Sequence, residues 1–84
     1  MSSEAAGDAR ALIEQVTKAI VDVPDQVTVD AFEEGGENIL ELQVAESDLG
    51  KVIGKSGRTA RALRTLLSAA NLKQHKNYTL EILE

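Results

Sequence analysis

Residues 50–67 read GKVIGKSGRTARALRTLL, and the pattern within this run sets the architecture around it. Leu49, Val52 and Ile53 are the apolar residues of a short helix, for which Ala45-Glu46-Ser47-Asp48 offers capping residues. Gly54-Lys55-Ser56-Gly57 then interrupts the helical pattern. A longer helix follows, with Ala60, Leu63, Leu66, Leu67 and Ala70 within an arc of about 120° at 100° per residue, a core stripe. Arg58, Arg61 and Arg64 lie on the other side, and Asn71 is a reasonable stop. The glycines have two consequences. They admit backbone angles closed to other residues, so one helix can turn sharply into the next. They also remove side-chain bulk, so the loop backbone can press against a phosphodiester chain. The free N–H groups and positive dipole end of the second helix face the same place. Lys55 adds a mobile cation and Ser56 a hydroxyl donor, with Lys51, Arg58 and Arg61 around them.

Outward from this run the pattern alternates cleanly. Residues 1–7 are expected to be a flexible start and residues 8–84 a single domain. From Asp8, a candidate N-cap, Leu12, Ile13, Val16 and Ile20 follow helical spacing with Ala9 and Ala19 beside them, and Pro24 ends that helix. Val27, Val29 and Ala31 alternate with Thr28, Asp30 and Phe32 as a strand. Gly35-Gly36 is a hairpin-type turn, and Leu40, Leu42 and Val44 continue as a second strand. Beyond the basic helix, Tyr78, Leu80 and Ile82 make a third. The order is α-β-β-α-α-β. The first two strands form an antiparallel hairpin, and two helices between the second and third make a crossover long enough for parallel pairing. The expected fold class is therefore α+β: a three-stranded mixed sheet covered on one face by three helices.

Charge is segregated along the chain. The net charge is −5, which would disfavour a polyanion if it were spread evenly. Residues 1–49 hold two basic and twelve acidic side chains, whereas residues 50–76 hold seven basic and no acidic ones. A polyanion within a Debye length of about 10 Å responds to the local patch more than to the distant total.

The segment from Gly50 to Leu67 resembles the signature of the KH family: an apolar pair, then G-x-x-G, then a basic amphipathic helix. The element order resembles the type II, or prokaryotic, KH topology along nearly the whole chain. Length and the lack of an appended domain are similar to the small bacterial single-KH RNA-binding proteins of the KhpA type. The resemblance implies that the GxxG loop clamps about four nucleotides of single-stranded RNA, with the bases on an apolar groove. That groove would run between the helix of Leu49, Val52 and Ile53, the helix after Gly57, and the neighbouring strand. The RNA-binding residues it implies are Lys51, Ile53, Gly54, Lys55, Ser56, Gly57, Arg58 and Arg61. The corresponding role is an RNA chaperone or post-transcriptional regulator in the cytoplasm. Because the chain is acidic overall, weak and salt-sensitive binding, or a homodimer or heterodimer with another KH-domain protein, is expected. The alternative is a KH fold whose main task is protein–protein dimerisation or adaptor work.

Other classes fit less well. A nucleotide-binding P-loop needs G-x-x-x-x-G-K-[ST] after a strand, and the required first glycine falls on Leu49. Aromatic stacking surfaces need several exposed rings, and Phe32 and Tyr78 are the only two. His75, the single histidine, sits in the polar connector Lys73-Gln74-His75-Lys76, where a surface role outweighs a general base. No His/Cys/Asp cluster has metal-ligand spacing, and no cysteine is present. No catalytic residue, metal, cofactor or membrane partner is expected. The N-terminus lacks the basic and apolar regions of a signal peptide, and no apolar run approaches the length of a membrane span.

Overall fold

Helical periodicity places Ala9, Ile13 and Thr17 four residues apart on one ridge, and all three are fully buried. They belong to helix α1, Glu4–Ile20, in a computed structural model of the protein that describes residues 4–84, with side chains from Ala9 onward. The helix starts a turn before the expected cap, so Asp8 lies inside it; Ala5 and Ala6, strong helix formers, carry it back to Glu4. Of the segment expected to be flexible, residues 1–3 lie outside the described residues. The buried stripe is also rotated. Leu12 and Ile20, expected in the core, are half exposed, and Thr17 takes the central position. A single turn of 3₁₀ helix at Pro24–Gln26 leads into strand β1, Thr28–Glu34, and the Gly35-Gly36 turn returns the chain as β2, Glu37–Gln43.

A 3₁₀ turn at Glu46–Asp48 enters helix α2, Leu49–Ile53. A third, at Lys55–Gly57, joins it to helix α3, Arg58–Gln74, and strand β3, Tyr78–Ile82, closes the sheet. The strand order is β1-β2-β3, with β1 antiparallel and β3 parallel to β2. Val29 opposes Leu42, Leu40 opposes Leu80, and Leu42 opposes Ile82. These residues share one face, on which the helices pack with Ile13, Val52, Leu63 and Leu67. The α+β order and mixed sheet are as expected. Ala31 is exposed rather than buried, because it lies beyond the part of β1 that the helices cover. On the opposite face, Ile39 is buried in register with Phe32 and Thr79.

Helix α3 holds its stripe in part. Ala60, Leu63 and Leu67 are buried, but Leu66, at the edge of the arc, is 37% exposed and faces an apolar depression shared with Leu12 of α1. The helix also passes the expected stop at Asn71 and ends at Gln74. His75 adopts a left-handed conformation there, and the Lys76 N–H donates to the Asn71 carbonyl at 2.9 Å, which closes a Schellman-type end.

Candidate nucleic-acid interface

Helix α2 has five residues, too few to persist without tertiary support. Two things hold it. Val52 is fully buried in the core. Asp48, also fully buried, ties its entrance to the α1–β1 connection: the carboxylate accepts the backbone N–H of Asp22 at 3.0 Å and of Val23 at 2.9 Å. Asp48 was expected to cap its own helix, but its side chain makes no cap bond to α2. The carboxylate instead serves donors left free after α1 ends, 25 and 26 residues away in sequence.

The chain leaves α2 at Gly54, with φ 78° and ψ 168°, a region open essentially to glycine alone. Space imposes the same choice. A Cβ on Gly54 would lie 2.8 Å from the backbone nitrogen of Thr59 and closer still to its hydroxyl. The Gly54 N–H donates to the Gly50 carbonyl at 2.8 Å and the Gly57 N–H to the Gly54 carbonyl at 3.0 Å, which fixes the turn from both sides. Gly57 is also left-handed, but a Cβ there would meet nothing within 4 Å. Its Cα side is open to an approaching ligand. Ser56 shares the left-handed conformation at φ 56°.

Helix α3 begins at this turn without a side-chain cap and with no acid in its first turn. The Arg58 N–H donates to the Lys55 carbonyl, and the positive dipole end of α3 lies at the turn, where an anion can approach it. Arg61 reaches back to the turn, its Nη2 donating to the Ser56 carbonyl at 3.3 Å. Lys55, Arg58, Arg61 and Arg64 form no ion pair among the described residues. Lys51 differs: its Nζ lies 3.1 Å from Asp22 Oδ2, so part of its charge is already met.

Beside the turn is a groove of about 430 Å³, lined by Ile53, Gly57, Ala60, Arg61, Arg64, Ile82 and Glu84. It has apolar walls from α2, α3 and β3, two guanidinium groups that form no ion pair among the described residues, and Glu84 at its margin. Of the residues expected at the site, Ile53, Gly57 and Arg61 line it. Gly54, Lys55 and Ser56 form the turn at its end. Arg58 and Lys51 are exposed nearby but do not line it. Arg64, Ala60, Ile82 and Glu84 were not expected there. Arg64 had a signal, since Arg58, Arg61 and Arg64 recur every third residue along one ridge. Ile82 and Glu84 had none, because only packing of β3 beside α3 brings them in.

The match to known proteins is with the family described as the KhpA/KhpB KH domain, whose model covers residues 10–82. The chain belongs to this family. Similar relatives include the RNA-binding protein KhpA of Treponema pallidum, 52% identical over 73 residues, which spans 87% of this chain and 91% of the relative. The RNA-binding protein KhpA of Clostridium acetobutylicum is 47% identical over 72 residues, 86% of this chain and 96% of the relative. The RNA-binding protein KhpA of Halalkalibacterium halodurans is 44% identical over 75 residues, 89% of this chain and 99% of the relative. No solved structure matches the chain. KH domains are binding modules rather than catalysts, so family membership supports the expectation that the chain is not an enzyme.

Proposed function

We propose that this chain binds single-stranded RNA, with the turn at 54–57 and the start of α3 against the sugar–phosphate backbone and the bases in the α2–α3–β3 groove. One observation carries this reading: the N-terminus of α3, without a side-chain cap, opens beside a groove lined by two arginines that form no ion pair among the described residues. The relatives named for RNA binding support it. Lys55, Ser56 and Arg58 supply donors at the phosphates, and Ile53 with Ala60 supplies an apolar wall for base faces. In the cell this corresponds to an RNA chaperone or post-transcriptional regulator acting in the cytoplasm. No described helix is long and apolar enough to cross a membrane. Titration should show single strands preferred over duplex. With about three phosphates neutralised, log K should fall against log salt with a slope near −2. Tighter binding to duplex, or none at low salt, contradicts the proposal.

A second reading, pairing with another copy or another KH-domain protein, is favoured by a separate feature. Leu12, Leu66, Ala69 and Ala70 line an apolar depression between α1 and α3, and Leu72 nearby is 81% exposed. It lies apart from the groove, so a dimer could carry two RNA sites whose effective concentration raises affinity. Sedimentation at tens of micromolar should show a species heavier than the 9.0 kDa monomer; a strict monomer that captures no KH-domain partner opposes this.

A further inference from the structure

One face of the sheet carries no helix. Alternation puts Asp30, Phe32 and Glu34 of β1, Glu37, Ile39 and Glu41 of β2, and Thr79 and Glu81 of β3 on it. Register sorts these side chains into rows across the strands: Asp30–Glu41–Glu81, then Phe32–Ile39–Thr79, then Glu34–Glu37. We propose that this face docks a lysine- and arginine-rich segment of another protein. An apolar side chain of that segment sits on the middle row, and its cations meet the acidic rows on either side.

The face has an apolar centre and one sign of charge at its margins. Ile39 is only 4% exposed although it lies on the side away from the helices, whereas Phe32 beside it is 38% exposed. Ile39 thus fills the floor of the row, and Phe32 offers ring surface to a visitor. Neighbouring rows are two residues apart, about 6.6 Å along a strand. A lysine or arginine can lay its stem over that distance and hold its charged head at a carboxylate. No lysine or arginine occurs in any of the three strands. None of the strand carboxylates forms an ion pair among the described residues. The field of the face therefore repels nucleic acid and favours a cationic partner. Like charges directly opposite one another weaken a sheet, so the row Asp30–Glu41–Glu81 destabilises the fold that carries it. Solubility and protection of the sheet edges do not require such a row, since lysines or mixed charges serve both without the repulsion. Repelling RNA does not require an apolar row between the acids. A basic segment with an apolar anchor uses both features. Docking there is independent of the RNA contact, because the turn and the groove belong to the helix side of the sheet.

Fluorescence anisotropy with two labelled lysine-rich peptides tests this, one with a leucine at its centre and the other with a glycine there. Each is titrated at low salt against the unmodified chain, the triple variant Asp30→Asn, Glu41→Gln, Glu81→Gln, and Phe32→Ala. The unmodified chain should bind the leucine peptide about tenfold more tightly than the glycine peptide. The triple variant removes three exposed ion pairs and should bind both peptides about tenfold more weakly. It should melt no lower than the parent, because the cross-strand repulsion is gone. Phe32→Ala should bring the leucine peptide down to the affinity of the glycine peptide. Equal binding of the two peptides by the unmodified chain reduces the face to an anionic surface without an anchor and overturns the docking site. So does an absence of binding, or a triple variant that binds as the parent does. Sedimentation tests the remaining occupant: self-association of the unmodified chain that the triple variant loses would assign the face to the basic turn of a second copy, and would equally overturn the proposal.

Discussion

At Gly54 two independent constraints meet: a backbone conformation that only glycine enters readily, and the backbone and side chain of Thr59 where a Cβ would sit. At Gly57 only the first applies, in its milder left-handed form. The two glycines of the same motif should therefore separate on substitution. Gly54→Ala must strain the backbone and displace the start of α3, and should cost about 3 kcal/mol. Gly57→Ala pays only for the left-handed residue, about 1 kcal/mol. Urea melts of the two variants give the comparison, and equal losses would show that Thr59 does not constrain the turn. Sequence alone distinguished neither glycine. The motif was legible because its spacing is, whereas the collision with Thr59 depends on how tightly α3 folds back on α2. Thr17 shows a related blind spot. It is fully buried with its hydroxyl unpaired among the described residues, and a polar residue at a core position is invisible to a hydrophobic pattern.

Among the elements, α2 depends most on others. Its five residues carry Ile53 and lead into the turn, and its entrance is held by the Asp48 carboxylate on the amides of Asp22 and Val23. Removing that acceptor strands two donors in a partly buried connection, each a penalty of about 1–3 kcal/mol. Asp48→Ala should lose about 3 kcal/mol, and Asp48→Asn, which keeps one oxygen acceptor, should lose less. Thermal unfolding measures both, and an Ala variant as stable as the parent would show that Asp48 does not hold the connection. Hydrogen exchange at α2 should quicken alongside. This latch was not readable beforehand, since local pattern places Asp48 as a cap and the donors it serves lie about 25 residues away. The same limit explains Ile82 and Glu84 in the groove. By contrast, the strands, the turn and the basic helix were each written in local periodicity, and their order restricted the sheet to few arrangements. Helix ends were less readable: Ala5 and Ala6 extend α1, and Asn71, a plausible stop, serves instead to tie α3 to Tyr78.

Across the whole molecule, charge is divided between faces. On the sheet face away from the helices, Asp30, Glu41 and Glu81 lie side by side in register across the three strands. The cations of residues 50–76 belong to α2, the turn, α3 and the connector after it. A net charge of −5 therefore coexists with a positive turn, and an RNA strand should be repelled from the sheet and admitted at the groove. That local field carries the proposed RNA contact. Lys55→Asp together with Ser56→Asp reverses it by three charges while keeping both glycines and every buried residue, so stability should change by about 1 kcal/mol or less. Two carboxylates would then face the phosphates, and such like-charge contact can cost several kcal/mol. The decisive measurement pairs a thermal melt with a single-stranded RNA titration of this double variant. An unchanged melt with binding lost is the predicted result; an unchanged melt with binding retained would place the RNA elsewhere and contradict the clamp at 54–57.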